Sequence, residues 1–176
     1  MDRYANRCAN AFLKQGTAKG DKISIMLPNC PEYLFIWWGS AKIGAVEVPV
    51  NTSYKGEFLR HIIDQSDSKM LFIDREWLDR VKLIEDDLKK VEKVVVLGGL
   101  TEKETGVLKI PTMSFEEFFD APDTPVDIKI YPHDPQNIIY TSGTTGLSKG
   151  ALGPHKMWIV VAEQLIPLIG EMHAIG

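Results

Sequence analysis

Residues 22–50 read KISIMLPNCPEYLFIWWGSAKIGAVEVPV, and this one stretch specifies a strand, a helix and a second strand. Ile23, Ile25 and Leu27 alternate with Ser24 and Met26 before the Pro28-Asn29 turn, which predicts a short strand over Lys22–Leu27. Pro31 suits the first turn of a helix, and Glu32–Ile43 continues it with the aromatic run Tyr33, Phe35, Trp37 and Trp38 up to Gly44. Ala45–Val50 then supplies the second strand. Strands joined through a helix form the crossover that parallel neighbours require.

The pattern extends in both directions. Upstream, Ala5, Cys8, Ala9 and Phe12 recur at helical spacing over Asp2–Lys14, ahead of Gly16. Downstream, a helix over 56–66 leads into a strand at Lys69–Asp74, whose run Met70-Leu71-Phe72-Ile73 suits burial on both faces. Trp77, Val81, Ile84, Leu88 and Val91 fall on one face of a further expected helix, with the carboxylates between Ile84 and Leu88 on its solvated side. Val94–Leu97 gives another buried strand. The expected class is α/β, a mostly parallel sheet flanked by helices.

Periodicity stops between Gly98 and Pro135, where glycines and five prolines punctuate the chain and only Ser114–Phe119 suggests a helix. The expected organisation is therefore an α/β subdomain over 1–97, an irregular connection over 98–135 and the start of a second subdomain over 136–176. In this last part Asn137–Tyr140 reads as a strand and Met157–Ile169 as an apolar helix interrupted by Pro167.

Composition narrows the function. The 176 residues are 44% hydrophobic and 25% charged, as in ordinary globular chains. Twenty Lys and Arg against 24 Asp and Glu give a net charge of −4, which argues against nucleic acid as partner. The two cysteines, Cys8 and Cys30, lack the spacing of a disulfide framework or zinc site and read as small apolar residues of a reducing, cytoplasmic compartment. Neither a signal peptide nor a membrane span is legible.

The chemistry lies in Tyr140-Thr141-Ser142-Gly143-Thr144-Thr145-Gly146-Leu147-Ser148-Lys149-Gly150. Glycines let backbone N–H groups converge on an anion, hydroxyls add donors, and Lys149 adds charge for polyphosphate oxygens. By composition the stretch fits either a phosphate cradle or a flexible polar loop. It is not the Walker form, because the lysine is misplaced and Gly150 stands where that form carries a magnesium-binding hydroxyl.

The order of residues resembles the signature loop of the adenylate-forming (AMP-binding) superfamily, which includes acyl-CoA synthetases, luciferases and peptide-synthetase adenylation domains. The lead-in from Asp134 to Ile139, His155 after the loop, Gly20–Ile25 with Leu27-Pro28-Asn29, and Gly44-Ala45-Val46 with Pro49-Val50-Asn51 extend the resemblance. Ser148 departs from it, since the family usually has proline there. The resemblance implies a ligase that activates a carboxylic acid with ATP as an acyl-adenylate and passes the acyl group to coenzyme A. It implies that Thr141, Ser142, Gly143, Thr144, Thr145, Gly146 and Lys149 hold the nucleotide phosphates, with Thr144 or Thr145 near Mg2+. Catalytic residues remain unassigned, because the family's catalytic lysine lies in a later domain. His155 reads either as a helix-start residue or as a participant.

The early segments look closer to acyl-CoA synthetases, with fatty or small organic acids as the substrate class, than to peptide-synthetase domains. Later family motifs are missing, so the chain reads as an N-terminal fragment, inactive alone, whose strands invite the remainder of the ligase or self-association. A stand-alone nucleotide-binding or interaction module is the alternative.

Overall fold

The computed structural model describes residues 1–101, 106–141 and 148–173, with side chains as far as residue 166. After α1 (Asp2–Lys14) come β1 (Lys22–Met26), α2 (Pro31–Ile43), β2 (Val46–Pro49), α3 (Glu57–Gln65) and β3 (Ser68–Asp74). Then follow α4 (Leu78–Lys82), β4 (Lys93–Leu97), β5 (Thr112–Ser114), α5 (Phe115–Phe119), β6 (Pro135–Thr141), β7 (Lys149–Pro154) and α6 (His155–His173). One seven-stranded sheet has the order β5-β4-β3-β1-β2-β6-β7, parallel throughout except for the antiparallel β6–β7 pair.

Right-handed crossovers decide which face each helix covers. The step from β1 to β2 goes one way along the sheet and the steps from β2 to β3 and β4 go the other, so α2 and α3 must lie on opposite faces. The two cores agree. Phe12, Ile23, Ile25, Ile36, Phe72 and Phe118 pack beneath α1, α2 and α5, while Val48, Leu59, Ile62, Leu71, Val81 and Val94 pack beneath α3 and α4.

Helices α1 and α2 meet at Gly39, where an added Cβ would stand 2.4 Å from Cys8 Cβ and 3.0 Å from both Ala5 O and Ala9 N. Two of those three neighbours are backbone atoms and cannot swing away. Gly39→Ala is expected to lose about 1–3 kcal/mol through forced separation of the helices. Urea denaturation checks this, and an unchanged midpoint would show that the helices part freely.

Residues 120–134 return across the α1 face as an extended strap. Asn10 Nδ2 donates to the carbonyls of Pro122 and Thr124, Lys14 Nζ to that of Asp120, and Lys19 Nζ to that of Lys129. Arg3 pairs with Asp123 at 2.6 Å. A stretch without sequence periodicity is thus ordered by the side chains of a distant helix, which no local pattern encodes.

The structure corrects several expectations. The apolar face Trp77–Val91 is carried not by one helix but by α4 between 3₁₀ turns at Arg75–Trp77 and Glu85–Asp87. Val81, Ile84, Leu88 and Val91 are buried nonetheless. Glu85 is not on a solvated side: it is buried, pairs with Lys82 at 2.6 Å and accepts the Lys109 backbone N–H at 2.6 Å. Two strands, β5 and β7, were not legible, and α6 continues through Pro167 to His173. The aromatic run of α2 packs, with Phe35 stacked on Tyr4 at 4.6 Å and Trp37 edge-on to Trp158 at 5.2 Å. Cys8 is buried and Cys30 half-buried, both as free thiols. Among the described residues no helix is long and apolar enough to cross a membrane.

Candidate functional site

The segment of interest joins β6 to β7. Its stem is in register from Asn137 with Gly153 to Tyr140 with Gly150 and Thr141 with Lys149. Because β6 runs parallel to β2, its last residue, Thr141, and Lys149 paired with it lie at the carboxyl ends of the parallel strands, where open α/β sheets bind ligands. Thr141 and Lys149 are exposed. Ser142, Gly143, Thr144, Thr145 and Gly146 lie outside the described residues.

Gly150 is required by packing: a Cβ there would stand 2.6 Å from Ile138 Cγ2 and 3.2 Å from Tyr140 Cζ. From α3, His61 reaches the far stem. Its Nε2 lies 2.9 Å from the Ser148 carbonyl and therefore carries the proton, and its ring meets Tyr140 edge-on at 6.4 Å. His61 fixes the stem residue directly before Lys149, and no sequence motif singled it out. His61→Leu is expected to reduce stability by about 0.5–1.5 kcal/mol. Amide exchange should rise at Ser148 and Lys149 but not in β4, whereas a uniform rise would deny His61 a local role.

His155 is placed elsewhere. It begins α6 beyond the far end of β7, about 20 Å from Lys149 at ~3.3 Å per strand residue. Its backbone N–H donates to the Asp134 carbonyl at 3.0 Å. Burial depresses the imidazole pKa, partly opposed by Asp134, so it is held neutral. The Asp134 carboxylate is held below its usual range by Lys19 at 2.5 Å and by the Tyr131 backbone N–H. This foot of the hairpin is a structural anchor, and the structure does not bring His155 to the loop.

A buried polar group lies under the hairpin. Glu47 of β2 is in register with Asn137 of β6, and the Tyr33 hydroxyl donates to Glu47 Oε1 at 2.6 Å. Burial raises the Glu47 pKa to about 7, against a smaller opposing effect of the Tyr33 hydrogen bond. Both polar atoms of the Asn137 side chain are buried without a partner.

Comparison with known proteins agrees with this architecture. The family model for AMP-binding enzymes matches residues 1–172. A crotonobetaine/carnitine–CoA ligase of Salmonella heidelberg is 32% identical over 156 residues, covering 88% of this chain and 30% of that protein. The anthranilate–CoA ligase AuaEII, solved in complex with anthranoyl-AMP, superposes with a TM-score of 0.84 at 26% identity over 92% of this chain and 30% of its own. A fatty acyl-CoA synthetase of Mycobacterium tuberculosis gives a TM-score of 0.72 at 26% identity over 87% of this chain and 28% of its own. The chain belongs to the AMP-binding enzyme family, among relatives that are adenylate-forming CoA ligases. It spans about 30% of the length of the curated relatives it matches.

Proposed function

We propose that this chain supplies the ATP-polyphosphate cradle of an ATP-dependent carboxylate–CoA ligase. The observation that carries the reading is the strand pair β6–β7: it brings Thr141 into register with Lys149 at the carboxyl edge of the sheet, in a member of this family. Segment 140–150 contains donors and one cation but no carboxylate, a donor set suited to phosphate oxygens.

In the proposed reaction a substrate carboxylate oxygen attacks the α-phosphorus of ATP, forming a P–O bond as the bond to pyrophosphate breaks. The thiol of coenzyme A then attacks the acyl carbon, AMP leaves and the thiol proton goes to solvent. Thr141, Ser142, Gly143, Thr144, Thr145, Gly146 and Lys149 would hold the β- and γ-phosphates in line with the attacking oxygen, which is most of what phosphoryl transfer asks of a protein. Mg2+ supplies charge neutralisation on the phosphates. The hydroxyl of Thr144 or Thr145 would hold the ion against the phosphates. The early segments and the CoA-ligase relatives favour coenzyme A over a peptide-synthetase carrier, and fatty or small organic acids as substrates.

Mg-ATP is expected to raise the melting temperature of the chain, with stabilisation of about 2.7 kcal/mol at a hundredfold excess over Kd. Lys149→Ala should weaken binding about tenfold or more, in line with the ~1.5–3 kcal/mol of hydrogen bonds to charged groups. The 176-residue chain by itself should show no carboxylate-dependent ATP–pyrophosphate exchange, since it spans about 30% of the length of the CoA ligases it matches. A melting temperature indifferent to Mg-ATP, in a chain whose circular dichroism shows it folded, would sink the reading.

A further inference from the structure

The hairpin that carries the cradle is attached to the parallel sheet at one register pair, Glu47 with Asn137. That single joint pairs a carboxylic acid with a carboxamide, both buried. The acid has one hydrogen-bond partner, the Tyr33 hydroxyl. The carboxamide has none, although both of its polar atoms are shut away from solvent. It lies over Gly153 of β7, where an added Cβ would stand 2.3 Å from Asn137 Oδ1. Buried amide groups left without partners are rare and costly, and the acid stands in register with this one on the adjacent strand.

We propose that Glu47 is a positioning residue for the cradle: with Asn137 it forms a proton-dependent latch that docks hairpin β6–β7 on the sheet.

In the neutral acid, Oε1 accepts from Tyr33 and no charge is buried in the joint. Loss of the acid's proton places a charge in the buried joint, where among the described residues no cation acts on it. Tyr33 from α2 is the one titratable group that acts on Glu47 among the described residues. On the other side β1 presents Ile23 in register with Glu47, and Lys19, Asp134 and His155 gather instead at the foot of the hairpin. Ionisation is relieved when the hairpin lifts and water reaches the carboxylate. The latch thereby ties the cradle's placement to pH near neutrality, where burial has put the acid's titration. Its purpose rests on the cradle reading above, but its existence does not.

Amide hydrogen exchange of the full chain between pH 6 and pH 8, expressed as protection factors, tests it without nucleotide. The β6 amides should lose about tenfold in protection over this range, as a group titrating near 7 in the docked state and near its ordinary value in the lifted state requires. Glu47→Gln should make their protection independent of pH. Tyr33→Phe removes the donor that favours the ionised form, so the midpoint should move up. Were β6 protection flat in the wild type while β3 and β4 lost theirs, Glu47 would be relieved only by global unfolding and the latch would be overturned. An unmoved midpoint in Tyr33→Phe would overturn it equally. Nucleotide binding measured separately reports on the cradle, so the two ideas fail by different results.

Discussion

Phe12→Ala is expected to destabilise the protein by about 3–5 kcal/mol, a large share of the ~5–15 kcal/mol by which domains are stable. Phe12 is fully buried and stands edge-on to Phe72 at 5.6 Å and to Phe118 at 5.0 Å, while Phe72 and Phe118 meet at 5.0 Å. The three rings come from α1, from β3 at the heart of the sheet, and from α5 after the long connection. Removing one opens a cavity walled by strand and helix backbone, which relaxes little. Edge-to-face pairs add about 0.5–1.5 kcal/mol beyond burial, and Phe12 takes part in two of them. Urea denaturation followed by far-UV circular dichroism measures the loss. Tyr4→Ala, at a ring that is 48% exposed, should cost much less, and equal costs at the two positions would show that the triad is not a closing point of the core.

The second large effect concerns Glu47. Its folded pKa of about 7 lies above the ordinary 4.5, so the folded state binds the proton more tightly than the unfolded state does. The stability this supplies is complete below pH 4.5 and is lost as pH rises through 7. The gap between the two values corresponds to roughly 3 kcal/mol at ~1.36 kcal/mol per decade. The chain should therefore be less stable at pH 8 than at pH 6 by about 1.4 kcal/mol from this group alone. Glu47→Gln should remove most of that slope and be the more stable form at pH 8, since its amide keeps an acceptor for Tyr33 and brings no charge. Melting temperatures of both proteins from pH 5 to pH 8.5 check this. Parallel pH profiles would mean that Glu47 titrates at its ordinary value.

These effects arise where sequence patterns are silent. Alternation and helical spacing made α1, β1, α2, β2, α3, β3 and β4 legible, since each buries a regular stripe or run of apolar side chains. They failed at residues 77–91, where the apolar spacing suits a helix but the chain breaks it to bury Glu85 against Lys82 and the Lys109 amide. They failed again at β7, whose glycines and exposed side chains carry no strand signature; it is a strand because Gly150 and Gly153 let it lie closely against β6.

Of the candidate site, the order of residues 140–150 alone determined the loop, the family and the phosphate chemistry it suggests, because backbone amides, hydroxyls and one ammonium are local properties of a short segment. The tertiary structure decided what surrounds it. It put His61 against the stem, sent His155 to the opposite end of the hairpin, and brought Glu47 beneath Asn137 across 90 residues of chain. Contacts of that kind follow from strand order and crossover hand, which are settled by packing the whole sheet at once and leave no mark at either position.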